Sequence, residues 1–129
     1  MISRRLSLDE LVTINALLLE TDRATVAATV KIGLLDSALN APFARFGDVD
    51  LYPHDWQRLG VLCCRIVLNH PFFDGNKRAG LVAMLTMATM NNLALDLPVS
   101  QETDGMILRL AASDLGEHEF CEWVRRYLR

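Results

Sequence analysis

His70-Pro71-Phe72-Phe73-Asp74-Gly75-Asn76-Lys77-Arg78 runs straight into Ala79-Gly80-Leu81-Val82-Ala83-Met84-Leu85-Thr86-Met87-Ala88-Thr89-Met90, and this join decides how the rest of the chain reads. The first part brings a base, an acid, a turn and two cations together. The second is of helical length and apolar nearly all round, which predicts a helix over residues 77–92 at the centre of the fold, wrapped by the others. Asp74-Gly75-Asn76 is turn chemistry, with Asn76 suited to cap that helix. A loop of reactive residues thus opens directly onto the core.

Working outward, Pro71 cannot continue a helix, so His70 stands at or just beyond the end of the preceding one. In that helix Trp56, Leu59, Cys63, Ile66 and Val67 recur at the three-and-four spacing of a buried face, and Pro53 suits its first turn. Residues 42–53 carry Gly47, Asp48 and aromatic residues without helical spacing, which predicts a loop or a small hairpin turning at Gly47-Asp48. Residues 33–40 read as a short helix with Leu34, Leu35 and Ala38 on one face. Residues 21–30, rich in Thr, Val and Ala with no clear amphipathic period, are expected to be irregular or weakly ordered.

Ser7-Leu8-Asp9-Glu10 has the capping-box pattern and opens a helix over residues 8–20. Downstream of the loop, residues 93–97 are short and extended. Ser100 suits the cap of a helix reaching about residue 112, and a last helix over residues 117–127 turns Phe120, Val124 and Leu128 inward.

The 129 residues, half of them hydrophobic, suit a single domain over 1–129 with a substantial core. A formal net charge of −3 argues against a nucleic-acid coat, which needs a clustered basic face. Arg4-Arg5 and Arg125-Arg126 read as solvated helix ends. Cys63, Cys64 and Cys121 are odd in number and two are adjacent, which fits neither a disulfide framework nor a zinc site. They read as buried thiols of a reducing compartment. Asp9 and Glu10 fall where a secretion signal needs its apolar region, and the longest apolar run is too short for a bilayer, so a cytoplasmic protein without a membrane span is expected.

The loop chemistry points to phosphate. The open N–H groups and dipole at a helix start attract an anion, but the dipole contributes only about 0.3–1 kcal/mol at an exposed end. Side chains must therefore decide the matter. Lys77 supplies a point charge and Arg78 a planar fork for two phosphate oxygens, while Gly75, without a Cβ, allows a ligand close to the backbone. Asp74 is placed to hold Mg²⁺, which commonly needs one or two carboxylates besides phosphate oxygens and water. A histidine such as His70 can accept a hydroxyl proton near neutral pH. Two cations in a first helical turn oppose the macrodipole and make sense with an anion bound there. His54 and His118 read as surface or supporting residues.

These nine residues resemble the hallmark loop of the Fic/Doc family. Gly33-Leu34-Leu35-Asp36-Ser37-Ala38-Leu39 and Leu51-Tyr52-Pro53 are similar to its Doc (death-on-curing toxin) branch. The resemblance implies an all-α, compact single-domain bundle of about six helices around a central apolar helix, with a small flap loop over residues 43–52 that aligns the target. It implies His70 as general base, Asp74 as Mg²⁺ ligand, Gly75, Asn76, Lys77 and Arg78 as the cradle for ATP, and Phe72 as the buried anchor.

Lys77 stands where AMP-transferring relatives carry Gly and the Doc branch carries Lys. That implies transfer of the γ-phosphate of ATP to a Ser or Thr of translation elongation factor Tu, with a small antitoxin protein as partner. Gly75 is closer to the AMP-transferring relatives, so nucleotidyl transfer stays as the alternative, beside a catalytically silent protein-binding module. Ser113 to Glu117 has the spacing of the family's self-inhibiting helix, but Gly116 inside it favours ordinary helix termination.

Overall fold

The computed structural model describes residues 1–99 and 101–129. The Ser7 hydroxyl accepts the Glu10 N–H at 3.0 Å and the Glu10 carboxylate accepts the Ser7 N–H at 2.9 Å, so the capping box closes as read. It opens α1 (Leu8–Leu18), whose Leu11, Val12, Asn15 and Ala16 are buried.

Residues 21–30 are not irregular: they hold α2 (Arg23–Thr29). The Asp22 carboxylate accepts the Thr25 N–H at 2.7 Å, and the Arg23 guanidinium reaches the Asp9 carboxylate and the Thr13 hydroxyl on α1. Hydrogen bonding from Thr25 holds the Asp22 carboxyl below the usual carboxylate range. Val26 is the one buried residue of this helix, so no stripe was there to be read. A helix this short is held by its cap and by α1 rather than by itself.

Next come α3 (Ile32–Asn40) and a 3₁₀ turn (Ala41–Phe43). Strands β1 (Arg45–Phe46) and β2 (Val49–Asp50) then pair antiparallel, Arg45 opposite Asp50 and Phe46 opposite Val49. Gly47, at φ 62°, makes the turn that an L side chain would strain. α4 (Asp55–Asn69) starts after His54, leaving Pro53 outside the helix rather than in its first turn. α5 (Asn76–Met90), α6 (Gln101–Ala111) and α7 (Glu117–Tyr127) complete an all-α architecture, seven α-helices among the described residues with one two-stranded ribbon. Ser100, expected to cap α6, lies outside the described residues. Leu95 bridges Leu128, tying the extended segment before α6 to the end of α7.

The centre is shared. α4 touches α3, α5, α6, α7 and the 3₁₀ turn, while α5 lies on α4, α1 and α6. The apolar helix after the loop is therefore not wrapped all round: Val82, Leu85, Thr86 and Met90 stay half-buried. Two glycines set how closely α4 meets two of these neighbours, α5 and α7. A Cβ on Gly80 of α5 would sit 2.8 Å from Val67 Cγ2 and 3.1 Å from the Cys63 carbonyl oxygen, and one on Gly60 would sit 2.6 Å from Cys121 Sγ and 3.1 Å from Cys121 Cα. Both seams bring backbone close to backbone.

Gly60→Ala is accordingly expected to destabilise. Overpacking costs about 1–3 kcal/mol and outweighs a helix-propensity gain of about 1 kcal/mol, leaving a net loss on the order of 1 kcal/mol in chemical denaturation. An unchanged or higher midpoint would mean that α7 can move off α4 freely.

Cys63, Cys64 and Cys121 are free and buried, and burial pushes all three thiols up, Cys121 to about 12. Thiolate is the reactive form, so the native protein should release no early colour with a disulfide-exchange dye near neutral pH. All three should react once it is unfolded. Rapid reaction of the native protein would contradict this burial. Among the described residues no helix is long and apolar enough to cross a membrane.

Candidate phosphate-binding site

α4 ends at His70, which caps it in the left-handed conformation, φ 53° and ψ 53°. Glycine is the usual residue at such a helix end, and the conformation costs an L-residue roughly 1–2 kcal/mol. Glu20, Asn92 and Ser113 share this positive φ, so the conformation marks where the helix stops. The imidazole is exposed, but the backbone around it is fastened. Lys31 N–H donates to the Pro71 carbonyl at 2.9 Å, and the Asn69 amide donates to the Leu34 carbonyl at 3.1 Å. The loop is thus tied to the start of α3.

Phe72 is 2 % exposed and anchors the loop in the core. Asn76, only 3 % exposed, grips the same residue twice: its Oδ1 accepts the Phe72 N–H and its Nδ2 donates to the Phe72 carbonyl, both at 2.9 Å. Asn76 is therefore not the cap of α5 but its first residue, and Gly75 takes the cap position at φ 77°. Both polar atoms of the asparagine side chain are thus engaged in shaping the loop. Its backbone N–H, with those of Lys77 and Arg78, still opens the helix.

Gly75 also has a structural reason on the side away from the cleft. A Cβ there would point at α1, 3.2 Å from Leu19 Cδ2 and 3.3 Å from Asn15 Nδ2. The missing side chain makes room for α1 behind the loop, besides permitting a positive φ.

His70, Phe73, Asp74, Gly75, Asn76, Lys77 and Arg78 line one open cleft of about 410 Å³, and all the candidate site residues meet in it. Val67 of α4 and Ala111 at the end of α6 complete its wall. The sequence marks Val67 only as a residue of a buried helix face and gives no sign of Ala111. Asp74 is exposed, its Oδ1 accepting the Gly75 N–H at 2.7 Å. Arg78 Nη1 makes a long contact of 3.4 Å with the Leu18 carbonyl. Among the described residues neither Lys77 nor Arg78 pairs with a carboxylate. The mouth therefore keeps two cations beside open helix N–H groups. No cluster of three or more His, Cys, Asp and Glu side chains occurs among the described residues, so a cation here would rely on Asp74 with oxygens from its ligand. That donor set fits Mg²⁺ bound to a phosphate and does not fit zinc.

The hairpin is braced from below. Arg58 donates to the Tyr52 carbonyl at 2.9 Å and pairs with Asp50 at 3.3 Å, while Arg45 pairs with Asp50 at 3.2 Å. Arg5 and Arg58 both stand over the Phe43 ring, at 3.8 and 5.3 Å from its centroid. Phe46, Val49 and Leu51 remain exposed. Ser113 ends its segment in a left-handed conformation, and Glu117 opens α7 and pairs with Arg65 at 2.9 Å. Residues 113–117 thus terminate one helix and begin the next, with Glu117 engaged by α4.

A family model described as the Fic/DOC family matches residues 5–88, from the start of the chain through most of α5, and the chain belongs to that family. Its members are enzymes that transfer nucleotide or phosphate to proteins. The match does not separate the Doc branch from the others. Comparison with curated proteins returns no match.

Proposed function

We propose that this protein is a toxin-type protein kinase of the Doc branch, moving the γ-phosphate of ATP to a Ser or Thr hydroxyl of a translation factor resembling elongation factor Tu. The observation that carries this reading is Lys77, exposed on the first turn of α5 and free of carboxylate partners among the described residues. A lysine there adds a charge where close backbone approach would otherwise seat the phosphates. A small antitoxin protein would silence it, and its place of action would be the cytoplasm.

In this reading the ATP phosphates rest on the open N–H groups of α5, with Lys77 as a point charge and Arg78 as a fork. Asp74 would hold Mg²⁺ through the oxygen that does not accept the Gly75 N–H. The ion would supply charge neutralisation on the phosphate oxygens. His70 takes the proton of the target hydroxyl as that oxygen bonds to the γ-phosphorus. The bond from the γ-phosphorus to the bridging oxygen breaks, and ADP leaves with the electron pair. The exposed Phe46, Val49 and Leu51 offer the hairpin as a rest for the target segment.

Nucleotidyl transfer is the second reading, suggested by Gly75. Incubation of the translation factor with ATP labelled at either the γ or the α position separates the two. Label from the γ position and the mass of one phosphate on the target are expected. Label from the α position would replace the kinase reading with AMP transfer, and no Mg²⁺-dependent ATP binding at all would favour a silent docking module.

A further inference from the structure

Asn15 is a polar residue on the buried face of α1, beside Leu11, Val12 and Ala16, and it is 1 % exposed. An amide in such a place is costly unless it is hydrogen-bonded. Its Nδ2 donates to the Asp74 carbonyl at 3.1 Å, across 59 residues of chain. We propose that Asn15 is a positioning residue: from behind the loop it fixes the 74–75 peptide and so sets the direction of the Asp74 carboxylate. The proposal rests on the reading of Asp74 as the cation ligand.

The peptide between Asp74 and Gly75 is held on both sides. Its carbonyl is held by Asn15, and its N–H is taken by Asp74 Oδ1 at 2.7 Å. With the peptide plane fixed and Oδ1 engaged, Oδ2 is the oxygen left for a cation. A Cβ on Gly75 would meet Leu19 and Asn15 at 3.2 and 3.3 Å, so α1 stands directly behind this peptide. Asn76 fixes the loop two residues earlier, at Phe72, so two buried asparagines hold its front and back. Without the Asn15 donor, the Asp74 carbonyl would turn to find water and take the carboxylate with it.

The test is calorimetric titration of a non-hydrolysable ATP analogue, with and without Mg²⁺, into the wild type, Asn15→Leu, Asn15→Gln and Asp74→Ala. Hydrogen exchange at the Gly75 amide is followed alongside. Leucine matches asparagine in shape and suits the apolar face, but lacks the donor. Glutamine keeps the donor one bond further out, and covers the case in which the leucine variant does not fold. Asn15→Leu should bind the Mg²⁺-free analogue like the wild type, lose about 10–100-fold of the affinity that Mg²⁺ adds, and exchange faster at Gly75. Asn15→Gln should lie between the two. A leucine or glutamine variant with the full Mg²⁺ gain, while Asp74→Ala has lost it, overturns the role of Asn15 and leaves the functional reading standing. A full gain in Asp74→Ala overturns both.

Discussion

His70→Ala is expected to lower phosphate transfer by about 10²–10⁴-fold, the usual contribution of a positioned general base, with the fold intact. The side chain is exposed, and the backbone around it is held by Lys31, Asn69 and Leu34 rather than by the imidazole. Removing the ring therefore leaves the loop's supports in place. His70→Gly sharpens the result, because glycine relieves the left-handed strain at φ 53°. It should unfold no earlier than the wild type while being equally inactive. Single-turnover transfer and a thermal melt on the same samples decide the matter. Retained transfer in either variant would remove His70 from the base role, and loss of the melt in both would make it structural.

Phe72→Ala should cost about 3–5 kcal/mol in chemical denaturation, the range for deleting a buried aromatic ring. Phe72 is 2 % exposed and belongs to the main hydrophobic cluster. It is also the residue whose backbone Asn76 grips at both polar groups. The cavity therefore opens beneath the loop, and transfer should fall with stability even though the ring lies outside the set of candidate chemical groups. A cost below about 1 kcal/mol would show that the loop takes its shape from its hydrogen bonds alone.

Features governed by neighbours in the chain were readable. The Ser7-Glu10 box, the hairpin at Gly47-Asp48 and the stop before Pro71 depend on side chains within four residues of the backbone groups they serve. The candidate site was legible for the same reason: its charged residues fall in one continuous loop, and they do line one cleft. Two of the failures, at α2 and at the cleft wall, come from contacts made across the chain. α2 buries a single valine and leans on Asp9 of α1, so its own residues carry no helical stripe. Asn76 is a local exception: an asparagine at a helix start commonly caps it, but here its amide reaches four residues back to the backbone of Phe72, whose ring is held in the core. Val67 and Ala111 are ordinary apolar residues until two helices bring them to the cleft.

The order of residues by itself determined that a base, an acid and two cations would meet at the start of an apolar helix, because a proline, a turn and a helix start follow one another without a gap. Only the tertiary structure decided what stands behind that loop. Gly60 and Gly80 let α7 and α5 approach α4 closely, and Gly75 leaves space for α1 to bring Asn15 onto the Asp74 carbonyl. Close approach depends on what the opposite helix presents, which no residue records in its own neighbourhood.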